Sequence, residues 1–364
     1  MQKHYQRPRS PRTSSDTSRI SSVCCLWGWA LYGSLSINAN NYSNGLGKVD
    51  WLPLVQWDLA TFQKAFSPED LKYINTFKFC GTFGDPVMCK ELDKIFKYII
   101  DNSETTISVD TNGSIRNEDW WWNVGVMCSN RLEVVFAVDG IDQEMHSKYR
   151  RFTDLEKVLS NMETLSMTNA IVHSQSVLFK HNQEYKDELT ALVKKNGSVR
   201  HTFVISDRFD RVDNGKDVFI DENGKEDYFE RADHEILPKG YVAGTKNNIL
   251  SNEIICRWAK PRNEIVVNPD GQIMPCCYHA NAHYMHRQGI TNEMNKHDVY
   301  SKGYNKDLKK YNLFHSNLTD ILNSEWFTKT LPQSINSDKP IKQCEKQCSS
   351  RTKKLHQIRE YHDT

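Results

Sequence analysis

From Thr76 onward, short apolar runs alternate with stretches whose apolar residues recur every three to four positions. Thr76 to Cys80, Thr105 to Asp110, Leu132 to Val138, Ile171 to Phe179 and His201 to Ile205 have the length and apolar density of strands. Between them, Lys90 to Ile100 sets Leu92, Ile95, Phe96 and Ile99 on one helical face, and the stretches around Leu155 to Leu165 and Tyr185 to Lys194 also read as helices. Ser67 to Asn75 reads as a short helix, with Ser67 as N-cap and Pro68 at its first position. This rhythm predicts parallel strands joined by helical crossovers, an α/β fold. About four to five such units fit between Thr76 and Ile205, which suits a partial barrel or an open sheet and is too few for eight units. Functional loops then follow the C-terminal strand ends, placing Gly84-Asp85-Pro86, Thr111-Asn112-Gly113 and Asp139-Gly140 on one rim.

The flanking regions read differently. Residues 206–252, rich in Asp, Lys, Gly and Asn, read as a linker or insertion with little core of its own. A second module spans residues 253–350. In it Glu264 to Val267 and Gln272 to Met274 flank the turn Asn268-Pro269-Asp270-Gly271 and predict a β-hairpin. Leu318 to Phe327 reads as a short helix, and Cys344 to Cys348 as a loop before the charged tail 351–364. At the other end, residues 1–22 are rich in Ser, Arg and Pro and lead into the apolar run Val23 to Leu35. That is the outline of a secretory signal without a clean cleavage site, and the run is shorter than the roughly 20 residues a bilayer span needs. We read residues 1–47 as unassigned, a disordered or non-native segment, and residues 48–205 as the barrel.

Composition narrows the function classes. The 364 residues predict about two domains, or a barrel with an appendage. With 47 Lys+Arg against 46 Asp+Glu the net charge is +1, which excludes attachment to nucleic acid or membrane through an overall cationic field. Fifteen Phe, 15 Tyr and 9 Trp supply a core and exclude disorder of the whole chain; Trp120, Trp121 and Trp122 read as helix packing.

Ten cysteines are the outlier, in a chain too long to need disulfides in place of a core. Cys256, Cys276, Cys344 and Cys348 could together hold a tetrahedral zinc or an iron–sulfur cluster, and their spacing does not choose between them. Strand alternation would turn Cys277 away from Cys276, making it a packed thiol like Cys80, Cys89 and Cys128. Another zinc arrangement combines Cys276 or Cys277 with His279, His283 and His286. The plainest reading is ordinary buried cysteine.

Phe79-Cys80-Gly81-Thr82-Phe83-Gly84-Asp85-Pro86, then Thr111-Asn112-Gly113, then Phe136-Ala137-Val138-Asp139-Gly140 with Tyr149-Arg150, resemble in their order the barrel of radical S-adenosylmethionine (SAM) enzymes. The segment Cys256-x14-Gly271-x4-Cys276, with Cys344 and Cys348 downstream, is similar to the auxiliary-cluster extension called SPASM in its four-cysteine form. The resemblance implies a partial (β/α) barrel of radical SAM type with a small C-terminal hairpin and Cys-rich iron–sulfur module. It also implies that Gly84, Asp85 and Pro86 contact the amino group of SAM, with Asp85 in place of the family's Glu. Thr111, Asn112 and Asp139 would line the same rim, and Cys256, Cys276, Cys344 and Cys348 would hold an auxiliary [4Fe-4S] cluster.

The family's defining C-x3-C-x2-C is absent from this sequence. Without three such thiolates there is no cluster to bind and cleave SAM. Either the first 45 residues replace the true N-terminus, or the chain descends from such an enzyme and keeps the scaffold and auxiliary site. The lack of any charged residue from Ile20 to Gly47 favours the first. If intact, the protein would use SAM-derived radical chemistry on a peptide or protein substrate. It would be cytoplasmic, without nucleic-acid or membrane partners, and served by a reductant such as flavodoxin or ferredoxin. The rival is a non-catalytic binding protein, a degenerate barrel with a structural four-cysteine zinc or iron–sulfur site. A secreted disulfide protein is a third reading, resting on the N-terminal outline.

Overall fold

The computed structural model describes residues 22–26, 56–81, 84–206, 209, 215–221, 223–233, 254, 256, 264–287, 296–348 and 359–363. Thr82, Phe83, the side chain of His286 and most of the N-terminal segment 1–47 lie outside the described residues.

Strands β1 (Ser22–Leu26), β2 (Thr76–Cys80), β3 (Thr106–Thr111), β4 (Leu132–Ala137), β5 (Ile171–Leu178) and β6 (Arg200–Ile205) run parallel in sequence order. Helices α1 (Leu59–Ala65), α2 (Pro68–Leu71), α3 (Leu92–Asn102), α4 (Glu118–Cys128), α5 (Gln143–Tyr149), α6 (Leu155–Ser166) and α7 (Lys186–Lys195) lie between the strands in sequence. Many of these helices begin on a side chain that satisfies an orphan backbone donor. Ser67 and Asp70 close a reciprocal capping box on α2, with Pro68 in the first turn. Asp58, Asn117, Asp142 and Asp154 cap α1, α4, α5 and α6.

Strand alternation splits the sheet into two unlike faces. Phe77, Phe79, Ile107, Val109, Leu132, Val134, Phe136, Val172 and Phe203 are buried in the same core as Phe96, Trp121, Val158 and Leu189 from the helices. The opposite face carries Lys78, Asp110, Glu133 and His173, with Lys78 2.9 Å from Asp110 and His173 3.4 Å from Glu133. Trp121 packs 5.0 Å from Phe136, as expected for a helix-packing tryptophan. Exposed Trp122 does not share that burial.

Gly113 and Gly140 are sterically required at the strand ends. Gly113 has φ +78°, and a Cβ there would stand 2.5 Å from the Phe136 ring. At Gly140 a Cβ would lie 2.2 Å from the backbone nitrogen of His146, so α5 packs directly on this turn.

The structure departs from several expectations. Ser22–Leu26, in the segment read as unassigned, is an inner strand paired parallel with both β2 and β9 (Glu264–Val267). Its residues fall at the start of the apolar run Val23 to Leu35, whose outline is that of a secretory signal, and only five of them pair. The hairpin of β9 and β10 (Ile273–Met274) forms as expected, and through β1 it extends the main sheet. Residues 206–252 contain the hairpin β7 (Lys216–Ile220) and β8 (Glu226–Glu230). Phe219 and Phe229 share a small core with Phe209, Phe179 and Val177, so this stretch does have a core, built from few aromatics among many polar residues. In the tail, Arg359–Asp363 forms β11, antiparallel to β6. The sheet thus runs β10-β9-β1-β2-β3-β4-β5-β6-β11, with β10 and β11 at its edges.

The C-terminal module adds α8 (Cys277–Arg287), α9 (Asp298–Ser301), α10 (Leu318–Leu322), α11 (Leu331–Ile335) and α12 (Lys342–Cys348). Cys344 and Cys348 therefore sit on a helix, not in the expected loop, one turn apart. The helix read at Leu318 to Phe327 is α10 followed by a π-turn at Trp326–Thr330. No helix among the described residues is long and apolar enough to cross a membrane.

Candidate functional site

The rim residues singled out in the sequence form one connected network. After β2 the chain turns so that Asp85 caps the short helical turn Pro86–Met88, accepting from the Val87 amide at 3.1 Å. Both Asp85 carboxylate oxygens lie 2.9 Å from Thr111 Oγ1, and Oδ2 also accepts the Asn112 amide at 2.7 Å. Asn112 Oδ1 in turn accepts from Arg150 Nη1 at 2.8 Å, and Arg150 Nε donates to Asp139 Oδ2 at 2.5 Å. Asp139 completes the chain by accepting the Val177 amide, while its own amide donates to His146 Nδ1 at 3.2 Å. The ends of β2, β3, β4 and β5 are thereby tied together through side chains.

Burial sets the electrostatics. Asp85 is 2% exposed and Asp139 fully buried. Burial pushes the Asp85 pKa up, opposed by the Asn112 and Val87 amides and the Thr111 hydroxyl. Burial also pushes the His146 imidazole down to about 4, which keeps it neutral and able to accept from Asp139. The Asp85 carboxylate faces protein donors on both oxygens. Gly84 is half-buried and Pro86 buried beside it.

Arg150 is the rim residue that sequence reasoning did not assign, although it was quoted beside Tyr149. Its guanidinium lies 4.7 Å over the Tyr149 ring, which packs against Phe179 and Phe229 at 4.8 and 5.6 Å. Arg151 pairs with Asp227 of β8 at 2.9 Å. The β7–β8 hairpin thus braces the segment that carries Arg150.

A second constellation lies in the C-terminal module. Cys276 immediately precedes α8 and its carbonyl accepts the Ala280 amide at 2.9 Å, while Cys344 lies on α12. Burial pushes the Cys276 thiol well above its usual range, with Cys277, Cys344 and Cys256 adding to the rise. Burial pushes Cys344 up to about 12, with further contributions from Cys348 and Cys256. Cys256, Cys276, Cys344 and Cys348 thus share one electrostatic neighbourhood, and these soft donors suit an iron–sulfur cluster. Among the described residues no three His, Cys, Asp or Glu side chains converge closely enough to grip a single ion.

Cys277 opens a helix rather than continuing a strand, so strand alternation does not govern it. Burial raises its thiol to about 11, and the next contribution comes from Cys80 at the end of β2. His279 Nε2 stands 3.1 Å from Cys344 Sγ, and its Nδ1 stands 2.5 Å from the Tyr300 hydroxyl. His283 Nε2 meets Asn305 Oδ1 at 3.0 Å. No cysteine occurs between Cys25 and Cys80, so no residue set for a SAM-binding cluster follows β1.

Residues 256–349 match the SPASM family model, an iron–sulfur cluster-binding domain. The chain is similar to Streptococcus suis SuiB bound to precursor peptide SuiA, with a TM-score of 0.52 and 11% identity over 88% of this chain and 67% of that one. SuiB bound to S-adenosylmethionine gives 0.51 and 12%, over 88% of this chain and 66% of that one. The native anSMEcpe structure with bound AdoMet and Cp18Cys peptide gives 0.48 and 12%, over 88% and 84%. This chain therefore spans about two thirds of the length of SuiB. No curated protein sequence matches it.

Proposed function

We propose that this chain, which has a partial α/β barrel of radical SAM type and a C-terminal SPASM domain, is an iron–sulfur protein that acts on a peptide or protein substrate. The observation that carries the reading is the match at residues 256–349, which encloses buried Cys276 and Cys344 and half-buried Cys256 and Cys348. Cys256, Cys276, Cys344 and Cys348 would hold a [4Fe-4S] auxiliary cluster, which when bound transfers electrons or anchors substrate. The peptide substrate is supported by SuiB, solved with precursor peptide SuiA. A SAM site at Gly84, Asp85, Pro86, Thr111, Asn112 and Asp139 is supported by the network that joins Asp85, Thr111, Asn112 and Asp139 on the rim. If the protein is active, an electron-donor protein such as flavodoxin or ferredoxin would serve it in a cytoplasmic setting.

The residues present do not fit a SAM-cleaving cluster, because the three-cysteine motif is missing. That absence, with the inward-facing Asp85 carboxylate, favours a second reading in which the barrel binds its partner without catalysis. Anaerobic purification tests the main proposal. A brown protein with about four irons per chain supports it, and a colourless protein with one zinc overturns it. Formation of 5′-deoxyadenosine from SAM under strong reductant would exclude the non-catalytic reading.

A further inference from the structure

The His279 imidazole hydrogen-bonds on one side to a proposed cluster ligand and on the other to a phenol enclosed in aromatic rings. Its Nε2 is 3.1 Å from Cys344 Sγ and its Nδ1 2.5 Å from Tyr300 Oη. All three residues are buried. Tyr300 is held in turn by Tyr304 and Trp326, at ring distances of 5.7 and 5.5 Å. Trp326 is itself tied down, donating from Nε1 to the Val299 carbonyl at 3.0 Å.

We infer that His279 is a positioning residue that donates a hydrogen bond from Nε2 to the Cys344 sulfur and thereby sets the reduction potential of the auxiliary cluster, with Tyr300 fixing the tautomer that makes this donation. The inference rests on the proposal that Cys344 ligates such a cluster.

Proton accounting supports it. A sulfur bonded to iron carries no proton and can only accept. A neutral imidazole has one N–H, so donation to sulfur places that proton on Nε2 and leaves Nδ1 as an acceptor. The Tyr300 hydroxyl donates to Nδ1, which is the outer hydrogen bond that selects the tautomer. Hydrogen bonds to cluster sulfur favour the reduced, more negative state and so raise the potential. His279 lies three residues after Cys276 on α8, and Cys344 comes from α12, so the same contact ties the two cysteine-bearing helices together.

The test is a redox titration of the anaerobically reconstituted full chain, followed by electron paramagnetic resonance, for the native protein, His279→Ala and Tyr300→Phe, with iron counted in each. The expected result is a lower potential in His279→Ala and a smaller shift in the same direction in Tyr300→Phe, at unchanged iron content. Equal potentials in all three proteins overturn the inference. So does loss of the cluster in His279→Ala combined with a native potential in Tyr300→Phe. If the native protein takes up no iron, it is the cluster reading itself that fails.

Discussion

Arg150 joins Asp139 across the strand ends with Nε 2.5 Å from Oδ2, and both side chains are nearly or fully withdrawn from water. Breaking one side of such a pair leaves an uncompensated buried charge, at a cost of about 3–5 kcal/mol. Arg150→Met should therefore lower the stability measured by denaturant unfolding by that order. Pairing it with Asp139→Asn should cost less than the two single changes added together, because the stranded charge is gone.

Asp85 accepts backbone amides on both oxygens, from Val87 on Oδ1 and from Asn112 on Oδ2. Asparagine would oppose one of those amides with its own NH2 group. Asp85→Asn should cost about 1–3 kcal/mol, the penalty of an unsatisfied buried donor. A variant with unchanged unfolding would show that the carboxylate does not brace the rim.

His146 gives the rim a pH dependence with a definite sign. Burial lowers its pKa from 6.5 to about 4, so between these values the unfolded chain binds more protons than the folded one. Its contribution is present above pH 6.5 and is lost as pH falls toward 4, by roughly 3 kcal/mol in full. His146→Gln should flatten that part of the stability profile. The check is the unfolding midpoint measured at intervals across this range in both proteins.

The proposed cluster separates the cysteines into two groups. Serine at Cys256, Cys276, Cys344 or Cys348 should each reduce bound iron and visible absorbance. Cys128→Ser should leave iron unchanged and cost about 1–3 kcal/mol for a hydroxyl at a buried thiol position. Iron analysis and absorbance of the five variants distinguish these outcomes.

The parts of the fold carried by periodicity were readable. Strands β2 to β6 and helices α3, α6 and α7 lie within a residue or two of where their apolar spacing placed them. The Asn268 to Gly271 turn was readable from its turn chemistry. What stayed hidden depends on distant partners. The five residues of β1 lie at the start of an apolar run that also fits the outline of a secretory signal, and their pairing is specified by β2 and β9 on either side. The β7–β8 hairpin is built on Phe219 and Phe229 within a polar stretch, and its packing partner Phe179 lies before β6. The convergence of Asp85, Thr111, Asn112 and Asp139 on one rim is legible because turns follow strands, but spacing gives no sign that Arg150 connects them. His279 was read as a candidate zinc ligand; its contact with Cys344 depends on how α12 packs against α8.

The position of β1 has a consequence for how the molecule is assembled. Ser22 pairs with Glu264, a partner roughly 240 residues later in the chain, and contacts of such long range slow folding. During synthesis the first strand is made well before one of its two neighbours. It can pair with β2 early, but its other edge stays open until residues 264–267 leave the ribosome. The nascent barrel therefore exposes an unpaired inner edge for most of its translation, the stage at which association with a chaperone or with another unfinished chain is most favoured.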